Sequence, residues 1–327
     1  YEPDVFAVVR KVLSDIGYSS EGIAMDTFVH QQSPDIAGAV DTSKERREGV
    51  SDNQIDWFQG AGDQGVMIGY ACDETKQLMP IPVVLANRIV RELSACRQSS
   101  YIQGILPDGK AQVTVEYENG KPVRLDSVVV SCQHTEDKNL KKLEAEIRKK
   151  VLLPALRLLP PDEDTKIFIN PSGRFVCGGM DADTGLTGRK LMVDSYGSMV
   201  PHGGGAFSGK DCSKVDRSVA YMARYIAKNI VAARLASRCQ VSLAYAIGVA
   251  QPVMVQVDTF GTGKVCADDC LELAIPLVFG LTPKQIVDSL RLTRPIFRQT
   301  AAFGHFGRKE FPWERTDKVE ALRNAVI

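Results

Sequence analysis

The stretch His202-Gly-Gly-Gly-Ala-Phe-Ser-Gly-Lys-Asp-Cys-Ser-Lys-Val-Asp-Arg217 joins a glycine-rich loop to a long helical pattern. Three successive glycines let a backbone approach a ligand closely, and the start of a helix offers unpaired N–H groups to an anion. Lys210 and Lys214 place two cations beside that helix start, where they oppose the helix dipole unless an anion lies between them. The stretch therefore predicts a polyphosphate-binding loop, with Asp216 as a candidate Mg²⁺ ligand.

Two other interpretations of this loop remain open at the level of sequence. Ser213 and Asp216 have the spacing of a helix-capping box, in which case the lysines are ordinary solvated surface. The spacing from Gly204 to Lys210 also approaches a P-loop, but Asp211 stands where that motif has a Ser or Thr to bind Mg²⁺.

The chain on either side of the loop alternates helical and strand patterns. Apolar residues recur with the helical period over 4–16, 82–99, 138–158 and 215–235, and Thr282-Pro283 predicts the start of another helix. Strand patterns cover 22–28, 66–71, 112–117, 122–131, 166–170, 174–177, 189–196, 240–249 and 253–260. Because Asn119-Gly120 is a hairpin signal and helices alternate with hairpins, the sequence predicts an α+β fold rather than one parallel sheet.

Two segments early in the chain predict loops. Residues 41–54 are charged and lack apolar periodicity, which is typical of a mobile loop. The letters Gly60-Ala-Gly-Asp-Gln-Gly65 match a dinucleotide-binding fingerprint, but they lead into a strand pattern where the fingerprint requires a helix. The context therefore argues against a Rossmann-type site.

The composition is that of an ordinary globular protein. The chain has 327 residues, 44% of them hydrophobic, with 40 basic and 40 acidic side chains. Zero net charge gives no global field for nucleic acid or anionic membrane, so neither is an expected partner. Eight scattered cysteines without a zinc spacing predict reduced, buried thiols, and the absence of a signal-like start predicts a cytoplasmic location.

Charged residues in loops beside strands supply the candidate chemistry. Cations and carboxylates around one polyanion are what transfer of a polyphosphate-bearing group requires, whereas no Ser-His-Asp or Cys-His pairing is evident. His134 and His305 are expected to be structural. Four clusters carry the prediction: Asp63; Asp108 with Lys110; Asp183 with Arg189 and Lys190; and Lys210, Lys214 and Asp216.

Several of these motifs together resemble the S-adenosylmethionine synthetase (methionine adenosyltransferase) family. The likeness extends over nearly the whole chain, to Gly304-His-Phe-Gly-Arg308 and Phe311-Pro-Trp-Glu314. The motifs that carry it are Gln32-Ser-Pro-Asp-Ile36, Gly60-Ala-Gly-Asp-Gln-Gly65, Gly185-Leu-Thr-Gly-Arg-Lys190 and the loop from His202 to Asp211.

The resemblance implies three similar α+β domains related by pseudo-threefold symmetry. It divides the chain into a remnant of the N-terminal domain (1–36), a mobile active-site loop (37–59), a central domain (60–178), a C-terminal domain (179–318) and a tail (319–327). It also implies a homodimer with active sites at the subunit interface, commonly paired into a homotetramer.

The reaction implied by the resemblance is attack of methionine sulfur on C5′ of ATP. Tripolyphosphate leaves and is then hydrolysed to diphosphate and phosphate, with two Mg²⁺ ions per site and K⁺ as cofactors. Lys110, Arg189, Lys210 and Lys214 would be catalytic. ATP would contact Asp63, Asp108, Lys110, Arg174, Phe175, Arg189, Lys190, Lys210 and Ile247. Methionine would contact Gln32, Asp183 and Lys214, while Asp216 would bind Mg²⁺ and the main chain of Ser208 would bind K⁺.

The sequence departs from the family in two places. The family's His-Pro-Asp-Lys segment is not found, which suggests a fragment. A polypeptide that really began at Tyr1 is expected to bind ATP or tripolyphosphate weakly and to form essentially no product. The segment between Gln32 and Gly60 is longer and more charged than is usual. The rival prediction is therefore a catalytically silent fragment or paralogue that dimerises and binds nucleotide, with a P-loop NTPase a distant third.

Overall fold

The computed structural model describes residues 4–49 and 60–326, which form a mixed α/β structure. Strands β1 to β6 are Gly65–Cys72, Ile105–Glu118, Lys121–His134, Lys166–Ile169, Arg238–Tyr245 and Met254–Asp258. Helices α1 to α11 are Val5–Ile16, Pro34–Asp41, Lys44–Arg47, Ile81–Gln98, Leu140–Ile147, Leu153–Ala155, Leu191–Asp194, Val215–Ala232, Asp268–Val278, Pro283–Ser289 and Val319–Ala325.

The chain divides into two compact units that are both discontinuous in sequence. The first unit comprises Tyr1–Gln31 and Leu85–Gly185, and the second comprises Gln32–Val84 and Leu186–Ile327. These two units do not coincide with the domains that the family resemblance predicts. The predicted domain boundaries therefore stay a prediction.

The first unit contains a three-stranded sheet in the order β2-β3-β4. β2 and β3 form the predicted hairpin, whose turn residues Asn119 (φ 50°) and Gly120 (φ 74°) take the positive φ that an Asn-Gly turn tolerates. β4 pairs parallel to β3, so this sheet is mixed rather than purely antiparallel. The predicted helix over 138–158 forms α5 and α6, joined by a π-helical turn at Arg148–Leu152.

The second unit is built on an antiparallel sheet in the order β1-β5-β6 with α8 packed against it. A side chain at Gly69 of β1 would come within 2.0 Å of the Ala223 carbonyl carbon, so the helix lies directly on the strand there. Every residue of α8 from Val215 to Val231 is buried except Asp216. The sequence predicted burial of one face of this helix, and the structure extends the burial to its charged residues.

Local signals predicted several element ends correctly. Gly17 ends α1 in the left-handed region with φ 103°, as glycine allows. Thr282 forms a complete capping box with Gln285 and starts α10 at Pro283. The packed, irregular segment predicted over 303–313 is confirmed by the buried side chains of His305, Phe306, Phe311 and Trp313.

Three predicted strands are wrong. Residues 22–28 and 174–177 are irregular, and 189–196 contains the short helix α7 instead of a strand. The apolar residues of 22–28 include Phe28, which is 85% exposed, so no sheet in the described chain recruits them. A short apolar run cannot by itself identify the partner that a strand needs.

The predicted loop over 41–54 is partly helical. Ser43 is fully buried and caps α3 by accepting a hydrogen bond from Arg46 N. The Glu45 carboxylate accepts from Ala250 N (2.9 Å) and Gln251 N (3.4 Å), which anchors the segment to the second unit. The rest of the predicted loop, 50–59, lies outside the described residues, and its predicted mobility stays a prediction.

All eight cysteines are free thiols, but the prediction that they are buried holds for only four, and Cys177 is exposed. Among the described residues, no single helix is long and apolar enough to span a membrane. Only α9 and α10 taken together reach the required length and hydropathy, and they are bent by 76° relative to each other.

Candidate functional site

The glycine-rich loop and the start of α8, residues 202–217, form a structure that we call the cradle. A Cβ atom on Gly203 would lie 1.6 Å from the Val66 carbonyl oxygen, and one on Gly205 would lie 2.0 Å from Asp216 Oδ1. Both positions therefore require glycine, because the loop passes closely between β1 and the first turn of α8.

The first turn of α8 has no side-chain cap. Its N-cap residue is Lys214, and no side chain accepts from the first N–H groups of the helix. The capping-box alternative is therefore wrong. Asp216 instead accepts from Lys210, with 2.5 Å between Nζ and Oδ2. The helix start stays available to an anion, as the polyphosphate interpretation requires.

A small cavity of about 10 Å³ lies between β1 and the cradle and has room for one water-sized occupant. His202 and Asp216 line it together with the cradle glycines and the start of β1. Gly204 N donates to His202 Nδ1 over 2.9 Å, so the neutral ring carries its proton on Nε2. Burial lowers the pKa of His202, while the nearby Asp216 carboxylate opposes that shift.

Within the described chain the buried His202 Nε2 has no hydrogen-bond partner. An unsatisfied buried donor costs about 1–3 kcal/mol. An acceptor oxygen that reached it would remove that cost. The cradle thus combines a free helix start, a cation and an unsatisfied donor, which suits an oxyanion.

The segment that carries Arg189 and Lys190 packs against the cradle. A Cβ atom on Gly188 would come within 2.4 Å of Ala206 Cβ, so the two backbones nearly touch. Arg189 and Lys190 follow directly and are exposed. The two predicted phosphate ligands therefore directly follow Gly188, which contacts the cradle.

A second pair of loops in the same unit brings the chain around Asp63 to the chain around Ile247. Ala61 N donates to Val249 O and Gly248 N donates to Ala61 O, forming an isolated parallel bridge. Ile247 is 43% exposed and Asp63 is exposed, so both side chains are accessible to a ligand.

The first unit holds Phe175 and Asp108 through two neighbouring side chains of β3. His134 N donates to Phe175 O (2.9 Å), and Phe175 N donates to His134 Nε2 (3.0 Å). Gln133 accepts from Asp108 N and donates to Val176 O, while Asp108 Oδ2 accepts from Gly179 N. The irregular chain around Phe175 is thus fixed by side chains rather than by a strand ladder.

The remaining predicted residues of the first unit are more exposed. Lys110 and Asp183 are exposed, and Arg174 pairs with Glu136 over 2.6 Å with both side chains largely in solvent. Gln32, which belongs to the second unit, is also exposed beside the start of α2. The predicted site residues are therefore divided between the two units, and their roles stay a prediction.

Sequence reasoning missed the residues that hold these loops. Gln133 was not singled out, and His134 and His305 were expected only to be structural. His305 is fully buried; burial, Arg217 and Arg308 lower its pKa to about 3, so the ring is neutral. The motif Gly304–Arg308 was the one signal that could have identified His305. Sequence spacing does not indicate its contact with Ser208, which is 97 residues away.

Most of the chain matches known proteins. The S-adenosylmethionine synthetase central-domain model matches residues 58–175, and the C-terminal-domain model of the same family matches residues 177–315. The S-adenosylmethionine synthase of Desulforudis audaxviator (strain MP104C) is 52% identical over 331 residues, covering 98% of this chain and 83% of that protein. The resemblance inferred from the motifs is confirmed, and the chain belongs to the S-adenosylmethionine synthetase family.

Proposed function

We propose that this protein synthesises S-adenosylmethionine from ATP and L-methionine, with the cradle as the site that receives the triphosphate. The observation that carries the assignment is the arrangement of Lys210, Asp216 and the uncapped helix start within a chain that matches two domains of this family. The methionine sulfur forms a bond to C5′ of ATP while the C5′–O bond breaks. Tripolyphosphate leaves with the bonding electrons, and water then cleaves it to diphosphate and phosphate.

The chain's own cations stabilise that leaving group. Lys210 and Lys214, with Arg189 and Lys190 beside the cradle, would hold the phosphates, and the first N–H groups of α8 add hydrogen bonds. Such groups act in a partly dehydrated site without reorganising during the reaction, and one placed donor contributes about 3 kcal/mol. His202 would donate its unsatisfied Nε2–H to an oxygen of the same anion.

Asp216 fits one ligand of Mg²⁺. Its Oδ2 accepts from Lys210 and its Oδ1 lies beside Gly205, so a hard cation could share the carboxylate with the lysine. Among the described residues no group of three or more His, Cys, Asp or Glu side chains could hold a metal. That agrees with Mg²⁺ sites in which phosphate and water supply most ligands. Bound Mg²⁺ would neutralise charge on the leaving polyphosphate, and K⁺ would take the main chain of Ser208.

The remaining roles follow the family pattern. Phe175 and Ile247 would flank the adenine, with Arg174 nearby, while Asp63, Asp108 and Lys110 would line the ATP site. Gln32 and Asp183 would bind the two polar ends of methionine. We also propose three pseudo-symmetric domains and a homodimer, commonly a dimer of dimers, with active sites at the subunit interface.

A product assay tests the function. The purified protein is incubated with ATP, methionine, Mg²⁺ and K⁺, and S-adenosylmethionine is measured by mass spectrometry. Omission of methionine is the control, because tripolyphosphate hydrolysis alone would not give the product. We expect methionine-dependent product; binding of ATP without any product would instead support the silent paralogue.

A further inference from the structure

Four side chains are linked in one chain of hydrogen bonds, which we call the brace, and the chain has both ends in the cradle. Its members are Ser208 in the loop, Arg217 and Tyr221 on α8, and His305 in the motif near the end of the chain. Arg217 Nη1 also donates to Lys210 O over 2.7 Å, which ties this end of the brace to the loop. All of these residues lie in the second unit.

The direction of each hydrogen bond in the brace follows from the donors and acceptors available. Arg217 Nε donates to the Tyr221 hydroxyl oxygen (3.0 Å), so Tyr221 directs its own proton to His305 Nδ1 (2.7 Å). The neutral His305 ring then carries its proton on Nε2, which faces Ser208 Oγ at 3.4 Å. One continuous chain of donors therefore runs from Arg217 to the loop.

Aromatic packing keeps the brace rigid. Trp313 stacks on Tyr221 with 3.7 Å between ring centroids, and its Nε1 donates to His305 O over 2.8 Å. Phe207 of the cradle packs edge-on against His305 at 5.0 Å. The guanidinium of Arg217 lies 3.6 Å above the Phe297 ring and also donates to Thr300 Oγ1. A phenylalanine at position 221 would keep this ring packing but would leave Arg217 Nε and His305 Nδ1 without their shared partner.

The brace contacts the loop at the two places that decide where Lys210 lies. Arg217 holds the Lys210 carbonyl, and His305 faces the Ser208 side chain two residues earlier. The brace itself presents no group to the cavity lined by His202 and Asp216, apart from its packing neighbour Phe207. Its connection to the site is therefore through the position of the loop.

We infer that Tyr221 is a positioning residue for polyphosphate binding, acting with His305 to hold the loop so that Lys210 faces the anion. The inference rests on the proposed function of the cradle. Displacement of a binding group by about 1 Å can cost up to a hundredfold in rate. Loss of the Tyr221 hydroxyl leaves the hydrogen bond from Arg217 to Lys210 O but removes those from Arg217 Nε and to His305. Because one direct bond to the loop remains, the effect is smaller.

The test compares Tyr221→Phe with Tyr225→Phe. Tyr225 lies one turn later on α8 and is also buried, but its hydroxyl donates to Asp317, away from the cradle. Tyr221→Phe removes two hydrogen bonds, from Arg217 and to His305, whereas Tyr225→Phe removes the one to Asp317. If both hydroxyls are merely structural, each variant loses stability but the tripolyphosphate affinity of the folded protein is equal in the two. We expect Tyr221→Phe to weaken tripolyphosphate binding in calorimetry, and to lower kcat/KM for ATP, by about tenfold more than Tyr225→Phe.

A second pair of variants separates the hydrogen bonds from the bulk of the ring. His305→Gln keeps one donor and one acceptor and should bind tripolyphosphate more tightly than His305→Leu, which keeps neither. If the wild-type protein forms product but Tyr221→Phe and Tyr225→Phe bind tripolyphosphate equally well, the inference is overturned and the proposed function stands. If the wild-type protein makes no product but Tyr221→Phe binds tripolyphosphate more weakly than Tyr225→Phe, the proposed function is overturned and the role of the brace is supported.

Discussion

Each half of α8 carries one member of a lysine–carboxylate pair, Asp216 near its start and Lys228 on its later turns, but the pairs differ in their surroundings. Lys210 and Asp216 meet at 2.5 Å beside the start of the helix, with side chains 33% and 14% exposed. Lys228 and Glu314 meet at 2.7 Å on its later turns, with side chains 10% and 0% exposed. We call the first pair open, because its side chains are partly exposed to solvent, and the second closed, because its side chains are buried.

The closed cluster is saturated by protein groups. Arg224 pairs with Glu314 and also donates to the carbonyl oxygens of Tyr70, Gln77 and Leu78, while Gly307 N donates to Glu314. Burial by itself would raise the pKa of Glu314, but Arg224 and Lys228 outweigh it and hold the pKa below its usual value. Such a cluster fixes loops and leaves no site for a ligand.

The open pair has a different surrounding. The start of α8 is uncapped, and within the described chain the buried His202 Nε2 has no partner. A structural ion cluster therefore differs from an anion-binding site in how many of its polar groups already have protein partners, and not in the mere presence of charge. Four changes test that distinction.

The largest expected effect is on stability, from Glu314→Gln. The substitution leaves Arg224 and Lys228 buried without a counter-charge, which costs about 3–5 kcal/mol. The measurement is the free energy of unfolding in urea. Glu310→Gln, which alters a pair between a 45% exposed carboxylate and Arg308, is the control and should change stability by less than about 1 kcal/mol.

The second effect separates the two lysines. Lys210→Met should lower turnover by about a hundredfold or more, because it removes a cation that faces developing phosphate charge, with little loss of stability. Lys228→Met should lower stability and leave kcat per folded molecule unchanged. Near-normal product formation by Lys210→Met would contradict the assignment of the cradle, and Asp216→Ala should behave like Lys210→Met.

The third effect is the pH dependence of stability, which reports on Glu314. Its folded-state pKa is lowered relative to the ordinary value of 4.5, so the unfolded chain takes up the proton first as pH falls. The stabilisation is therefore complete above about pH 5 and is lost progressively below the unfolded pKa. Urea unfolding between pH 7 and pH 3 should show this loss, and the slope should be smaller in Glu314→Gln.

The smallest effect is expected at Glu45, whose carboxylate is saturated by backbone N–H groups but lies closer to solvent. Glu45→Gln should cost about 1 kcal/mol of unfolding free energy, since a neutral amide accepts these hydrogen bonds less strongly. Glu48→Gln, at the C-cap of the same short helix, alters an exposed contact of 3.7 Å with Lys44 and is the control. Equal losses would show that the anchor at Ala250 contributes nothing.

Much of the fold and the family could be predicted from local chemistry. Gly17 ends α1, Thr282 caps α10 and Asn119-Gly120 turns the β2–β3 hairpin because each signal acts within a few residues. The cradle glycines were predicted to let the backbone approach a ligand, which stays a prediction; the structure shows instead that Gly203 and Gly205 make room for the Val66 carbonyl oxygen and for Asp216.

The predicted strands at 174–177 and 189–196 failed because a strand needs a partner that the local sequence does not name. Phe175 is instead held by His134, 41 residues away. Whether Arg224 would be solvated or buried likewise depended on Glu314, 90 residues away. The sequence by itself determined the longer helices and the hairpin turn, and it predicts a phosphate-binding role for the loop. Only the tertiary structure decided which charges are saturated, because burial and pairing depend on contacts between residues far apart in the chain.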